Sequence, residues 1–295
     1  MKTQADCGPC LLKRVLFQAR LAGNGTEFEA VKAAAAEYAA QSRPDICSAE
    51  LGRLVHVKAY AAMGVKDPYA AMKVDSDRVA ESFVNDAREY IDSQDDRLAA
   101  AVRVSVVGNI MDFGSGKAID SPEEFSAMFH QLLEQGIGSD DTSHLEDLLD
   151  KGFDVLYAFD NCGEDCFDRL LIREIKALGK RVVGVVRGAP ILNDVTREDA
   201  VRIGLDKELD GIVDTGGFTV GFSPAYMTDE LKDEMGRASV LIAKGMANYE
   251  SLSEMDLPCP VAYILRAKCL PVANSLNVPL GTNVVRVEMP VPKEE

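Results

Sequence analysis

The sequence predicts an α/β protein: a three-layer α/β/α domain with a mainly parallel sheet, preceded by a smaller all-helical amino-terminal domain. Three observations predict it. Residues 1 to about 95 carry helical periodicity and almost no strand signal. From about residue 102 short β-rich runs appear, several of them continuously apolar, as expected of strands buried on both faces. Helical patterns lie between most of those runs, and strands alternating with helices imply a parallel sheet covered on both sides. The predicted boundary separates a helical domain, residues 1–98, from an α/β/α metal-binding catalytic domain, residues 99–295.

In the first part, "CLLKRVLFQARLA" places Leu12, Val15, Leu16 and Ala19 on one helical face, and "FEAVKAAAAEYAAQ" is rich in strong helix formers. In "DSDRVAESFVNDAREYIDSQDDRLAAAV", Val79, Phe83, Ala87 and Ile91 recur every four residues among charged neighbours, which predicts one amphipathic helix. The second part supplies six predicted strands: "VRVSVV" (102–107), "FDVLYAF" (153–159), "RVVGVV" (181–186), "GIVD" (211–214), "SVLIA" (239–243) and "VAYIL" (261–265). After "DNCGED", Phe167, Leu171, Ile175 and Leu178 form an apolar stripe ending at Gly179, a C-cap residue. "TREDAVRIG" and "SPAYMTDELKDEMGRA" supply further helices, each opening on a Thr or Ser suited to N-capping.

The chain has 295 residues, 47% of them hydrophobic and 27% charged, the balance of a soluble globular protein. No apolar run reaches the roughly 18–20 residues that cross a bilayer, and "MKTQADCGPC" lacks the apolar stretch of a secretory signal, so the expected location is cytoplasmic. The formal charge of −16 repels phosphate backbones and anionic lipid, so neither nucleic acid nor membrane is an expected partner. A small phosphorylated substrate is not excluded, because a bound divalent cation reverses the sign locally. Seven cysteines in an untargeted chain are not a disulfide framework, and an odd number cannot pair completely.

Ligands of open α/β sheets bind beyond the carboxyl ends of the strands. The polar segments after the predicted strands are "GNIMDFG", "DNCGED", "RGAPILND", "DTGGFT", "KGMANYE" and "RAKC"; six parallel strands would bring all six to one edge. Asp160 and Asn161 follow one strand, Asn193 and Asp194 the next. Hard cations take oxygen ligands, and two neighbouring loops can share one octahedral site completed by water. Alternatively these residues cap the helices that follow. Asp194, in a loop, is expected to make no core contact. Gly163, Gly188, Gly216, Gly217 and Gly245, with Thr215, can bring backbone N–H groups to a phosphate, or can simply be tight turns. Lys244 ends an apolar strand, where it either reaches a phosphoryl oxygen or sits at an exposed strand terminus. Asn109 and Asp112 are expected to line the cleft between the two parts and orient substrate hydroxyls, or to form and cap a local turn. P-loop and dinucleotide fingerprints are absent. Nucleophilic aspartyl chemistry of the haloacid-dehalogenase kind needs a second Asp two residues after Asp160, where this chain has Cys162.

"GNIMDFG", "DNCGE", "VVRGAPILNDVT", "DTGGFTVGFS", "KGMANYE" and "LRAKC" resemble, in that order, the motifs of the damage-control phosphatase family, formerly domain of unknown function eighty-nine. The "CGPC" at 7–10 is similar to its small stand-alone microbial branch. The resemblance implies a metal-dependent hydrolase of phosphorylated metabolites or damaged cofactors, a metabolite-repair enzyme working with manganese, cobalt, nickel or magnesium. It implies Asp160, Asn161 and Asp194 as metal ligands, with Asp160, Asp194 and a phosphate-contacting Lys244 as catalytic residues. Arg187, Asn193, Thr215, Gly216, Gly217 and Asn248 lie in the same motifs and join Asn109 and Asp112 as expected substrate contacts. Cys162 departs from relatives that often carry Ala or Ser.

The remaining cysteines support a reading of another class. Cys7 and Cys10 are half of a four-ligand zinc site that Cys47 and His56 are candidates to complete, unless Cys10 merely packs on its helix's apolar face. A thioredoxin-like pair needs a preceding strand, and only six mostly polar residues precede Cys7. Cys162 and Cys166 are four apart at a helix start, with Cys166 expected in the core. On this reading the chain is a non-catalytic metal- or redox-responsive binding protein that uses the same acidic pocket.

Overall fold

The computed structural model describes residues 1–109 and 122–290. Seven helices come first: α1 (Cys7–Ala22), α2 (Glu27–Gln41), α3 (Ser48–Met63), α4 (Ala70–Glu81), α5 (Val84–Asp92), α6 (Arg97–Gly108) and α7 (Pro122–Gln135). The apolar stripes read from the sequence close a small core: Val15 and Ala19 of α1 meet Ala30 and Ala34 of α2 and Leu51, Val55 and Ala59 of α3. Small Ala faces let α2 and α3 approach closely. Among the described residues, no helix is long and apolar enough to cross a membrane.

The rest alternates strictly: β1 (Ser139–Asp140), α8 (Thr142–Lys151), β2 (Asp154–Ala158), α9 (Glu164–Ala177), β3 (Arg181–Val186), α10 (Arg197–Arg202), β4 (Gly211–Asp214), α11 (Asp229–Arg237), β5 (Val240–Lys244), α12 (Gly245–Leu252), β6 (Val261–Arg266), α13 (Leu270–Leu276) and β7 (Asn283–Glu288). The sheet order is β1-β7-β6-β5-β2-β3-β4. Five central strands are parallel, with Leu156 of β2 facing Val183 of β3 on one side and Leu241 of β5 on the other. β7 runs against its neighbour β6, and β1 pairs parallel with β7.

Alternate side chains of each strand enter different cores. Val155, Tyr157, Ile242 and Ile264 join Leu171 and Ile175 of α9 and the valines of α6 on one face. Leu156, Leu241, Tyr263 and Leu265 join Leu231 of α11, Leu252 of α12 and Val272 of α13 on the other. Two buried faces explain the continuous apolar runs. Each fully buried Leu or Ile contributes about 1.5–3 kcal/mol of transfer free energy, so the three layers hold together by area.

Three expectations need correction. "VRVSVV" is not a strand but the second half of α6, opened by Asp96, whose carboxylate accepts the Ala99 N–H at 2.9 Å. The helix is packed against both α9 and the sheet, so Val102, Val104, Val106 and Val107 are all buried and no polar stripe marks the period. The helix predicted through Val79 and Ile91 breaks at Ser82, whose hydroxyl donates back to the Val79 carbonyl at 2.6 Å. Strands β1 and β7 went unread: the first is a two-residue edge strand, and the second alternates only partly.

Candidate functional site

The sheet reverses its winding between β2 and β5: from β2 the chain proceeds outward to β3 and β4, and from β5 outward to β6. The crevice beyond the carboxyl ends of such a pair is where open α/β sheets bind ligands. Asp160 leaves β2 there, and Gly245 leaves β5.

The loops after β2 and β3 are zipped together by backbone. The Cys162 N–H donates to the Asn193 carbonyl and the Val195 N–H to the Asp160 carbonyl, each at 2.9 Å, and Asn161 and Asp194 form an antiparallel bridge. Asp160, Asn161, Asn193 and Asp194 therefore line one cavity of about 180 Å³, although 33 positions separate the two loops in places. Asp160 is 7% exposed, Asn161 4% and Asp194 2%. Burial first, then the Glu164 and Asp194 carboxylates, push the Asp160 carboxyl well above the usual carboxylate range, while Arg187 and Lys268 pull the other way.

Beneath Asp160 lies a polar cluster that is fully enclosed. The Asn109 amide donates to Asp160 Oδ2 at 3.1 Å and Glu164 Oε2 at 2.8 Å; the Asn161 amide donates to the same two oxygens at 2.7 and 3.1 Å. Lys244 donates to Glu164 Oε1 at 2.6 Å, Asp168 Oδ1 at 2.7 Å and the Ser105 carbonyl at 2.9 Å. Burial alone would lower the Lys244 ammonium, but Asp168 and Glu164 outweigh it and raise it. Burial raises the Asp168 carboxyl to about 6 against the opposing pull of Lys244. Gly245 is required beside this cluster: its φ is +74°, and a Cβ there would stand 1.8 Å from Asp160 Oδ2.

The structure separates the remaining expected residues. Lys244 is neither an exposed terminus nor part of the cavity wall; it is 0% exposed behind Asp160. Arg187 is buried and donates through Nε to Asp194 Oδ2 at 2.6 Å, so Asp194 does make a core contact, contrary to expectation. Thr215 bonds Thr219 at 2.9 Å and accepts the Gly188 N–H at 3.3 Å; Gly216 and Gly217 adopt positive φ under Tyr226, and none of the three lines the cavity. Asn248 ties α12 to the end of β2 by donating to the Phe159 carbonyl at 3.1 Å. Asp112 lies outside the described residues. Asn109 is a buried support for Asp160.

Sequence reading missed Arg14 and Lys268, which also line the cavity, and Glu164; His56, read as a zinc-ligand candidate, lines the cavity too. Lys268 stood in the quoted tip "RAKC", and Glu164 in "DNCGED"; both carried a signal. Arg14 sits on a helix of the first part, where nothing local marks it. Cys7, Cys10 and Cys269 line the cavity too, and Cys10 is exposed rather than packed on its helix's apolar face. Cys166 is in the core, 0% exposed, and all seven thiols are free. Lys2 forms one isolated bridge with Cys47, and no strand precedes Cys7 among the described residues. Among the described residues, the one set of three His, Cys or acidic groups with ligand atoms within 4.8 Å, close enough to hold a metal ion, is Asp77, Cys162 and Asp165; no such set forms from Cys7, Cys10, Cys47 and His56.

The damage-control phosphatase ARMT1-like domain matches residues 3–284. A damage-control phosphatase of Archaeoglobus fulgidus is 36% identical over 97% of this chain and 99% of its own length. An uncharacterized protein of Methanocaldococcus jannaschii is 32% identical over 97% of this chain and 95% of its own. The crystal structure of a DUF89 family protein from Pyrococcus horikoshii superposes with a TM-score of 0.87 at 28% identity, covering 98% of this chain and 99% of that one. The chain belongs to the damage-control phosphatase family.

Proposed function

We propose that the chain is a divalent-metal-dependent phosphatase that hydrolyses small phosphorylated metabolites, including damaged ones, in the cavity at the β2 and β3 ends. The observation that carries the reading is the zipped pair of loops, which sets three oxygen donors, Asp160, Asn161 and Asp194, on one wall. These residues fit a hard cation: all offer oxygen, the negative field at Asp160 exceeds what Arg187 and Lys268 offset, and both polar side-chain atoms of Asn193 lack a partner among the described residues. When bound, the cation supplies polarisation of the phosphoryl oxygens. The chain's own residues supply orientation and charge. Lys268 and Arg14 border the same cavity and give an anionic substrate a complement that the acidic surface otherwise denies it. Leu11, Leu192 and Val220 complete an apolar wall that excludes water from the attached metabolite.

The test is hydrolysis of p-nitrophenyl phosphate and of a panel of sugar phosphates and phosphorylated cofactor fragments, with Mn²⁺, Co²⁺, Ni²⁺ or Mg²⁺ added separately. Metal-stimulated turnover is expected; turnover by none of the four overturns the reading. The cavity thiols favour a second reading, a redox-responsive binding protein. It requires that oxidation change ligand affinity while no phosphate is released.

A further inference from the structure

We propose that Lys244 is a positioning residue for the Asp160 and Asn161 side chains and makes no contact with the substrate's phosphoryl group. The inference rests on the phosphatase reading above and assigns a role within its site.

A protonated lysine has three N–H donors. In Lys244 all three are used, on Glu164 Oε1, Asp168 Oδ1 and the Ser105 carbonyl, at 2.6 to 2.9 Å. The side chain is 0% exposed and absent from the cavity wall. No donor is left for a phosphoryl oxygen. The chain of contacts instead runs from Lys244 through Glu164 to the metal-facing residues. Glu164 Oε2 accepts from the amides of both Asn109 and Asn161, and those amides reach on to Asp160 Oδ2. Two acceptors on its N–H₂ side determine which way the Asn161 amide faces. Its carbonyl oxygen, the atom a hard cation takes, is thereby turned away from Glu164. Asn109 is oriented in the same manner, because its Oδ1 accepts the Arg266 N–H at 3.3 Å.

Glu164 holds this position because Lys244 compensates it. Glu164, Asp168 and Lys244 together carry one net negative charge, all at 0% side-chain exposure. Without the ammonium the cluster carries two uncompensated buried carboxylates, and truncating one partner of a buried pair is strongly destabilising. Ser105 limits the room for rearrangement, since its hydroxyl already donates to Asp168 Oδ1 at 2.7 Å.

The experiment compares wild type, Lys244→Met and the double variant Lys244→Met/Glu164→Gln. Glutamine keeps an oxygen acceptor for the two amides and returns the cluster to one net negative charge. Two readouts are used: hydrogen exchange of the Asn109 and Asn161 side-chain amides by NMR without metal, and Mn²⁺ affinity by calorimetry beside kcat/KM for p-nitrophenyl phosphate. In Lys244→Met, amide protection should fall, and Mn²⁺ affinity and kcat/KM should drop together by roughly 10–100-fold, the range for residues that orient metal ligands. The double variant should recover protection and most of both losses. A lysine that touches the phosphoryl group gives the opposite pattern: protection and Mn²⁺ affinity unchanged, kcat/KM down, and no recovery in the double variant. That result overturns the proposal. If Lys244→Met does not fold, the double variant decides alone: protected amides with near wild-type turnover support positioning, and protected amides with turnover down on the order of 100-fold refute it. A wild type that binds no Mn²⁺ refutes the metal-dependent reading, while the exchange data still decide the role of Lys244.

Discussion

The turn from Asp160 to Asp165 has acidic groups on two sides, and the two sides are built differently. Toward the cavity, Asp160 and Asp194 stand with Asn161 and Asn193, and the polar atoms of Asn193 have no partner among the described residues. Toward the interior, Asp77 and Asp165 stand with Cys162, their ligand atoms within 4.8 Å of one another; both oxygens of Asp77 are answered, while Asp165 Oδ2 has no partner among the described residues. The Gly163 N–H donates to Asp77 Oδ1 at 2.7 Å and Asp165 Oδ1 at 2.8 Å, and Arg202 donates to Asp77 Oδ2 through Nε at 2.9 Å and a terminal nitrogen at 2.5 Å. A cation held by Asp77 would have to displace a backbone donor or a guanidinium. On the cavity side Asp194 likewise carries the Arg187 guanidinium on Oδ2, whereas Asp160 and Asn161 carry neither. Crowded carboxylates therefore do not by themselves mark a metal site; what sets the two sides apart is that Asp160, Asn161 and Asp194 line the cavity and Asp77 and Asp165 do not.

The comparison breaks most readily at Asp194. Asp194→Asn keeps an oxygen for the Arg187 Nε and removes the charge. We expect kcat/KM with Mn²⁺ to fall by about 100-fold or more, above the range seen when only a ligand's support is lost. Activity within about threefold of wild type would remove Asp194 from the ligand set. Asp194→Ala is the poorer test, because it strands a buried guanidinium, a defect worth about 3–5 kcal/mol.

Gly245→Ala should come next. The new Cβ would overlap Asp160 Oδ2, so the carboxylate must shift while Lys244 and Glu164 keep their partners. A displacement of about 1 Å at the reacting centre costs on the order of 100-fold, and a loss of roughly 10–100-fold in kcat is expected. Full activity together with an unchanged melting temperature would mean that the close approach is not needed.

These residues also define what was legible in the sequence. The strand tips were readable because two buried faces force continuous apolar runs, and the first polar residue after each run is local information. Asp160 and Asn161 were picked out that way, and Asp194 as a polar residue of the loop after the next strand. Helix α6 was misread because a helix with all but one residue of 100–108 buried loses its polar stripe, and β-branched valines then look like a strand. The placement of Lys244 was not readable at all. Its neighbours Glu164 and Asp168 are 80 and 76 positions away in the chain, and only the sheet order brings them together. Arg14 and His56 reach the cavity for the same reason, through packing of α1 and α3 against the strand-end loops.

On the interior side, Asp77→Asn retains an acceptor for Gly163 but weakens the pairing with Arg202. Arg202 is about a third exposed and keeps Asp199, so the cost should be modest, about 1–2 kcal/mol in urea unfolding. Mn²⁺ affinity should not move. A tenfold loss of affinity, about 1.4 kcal/mol, would show that the interior cluster holds metal after all and would dissolve the contrast between the two sides.

A pH-dependent effect is expected at His56, in the wall of the cavity. His56 is 2% exposed, and its Nδ1 has no partner among the described residues. Burial, and then the Arg14 guanidinium, lower its pKa from 6.5 to about 3. The folded state thus refuses a proton that the unfolded chain accepts. Its contribution to stability is complete above the unfolded value and is lost as pH falls from about 6.5 toward about 3, at up to roughly 1.4 kcal/mol per pH unit. His56→Leu keeps apolar bulk and removes the titrating ring. Urea-unfolding free energies of the two proteins, measured at intervals from pH 7 to pH 4, should therefore differ by an amount that changes with pH: wild type should lose stability faster below about pH 6.5. Parallel curves across that range would mean that His56 takes up a proton in the folded protein as easily as in the unfolded one, and that a cationic His56 joins Arg14 and Lys268 in facing an anionic substrate.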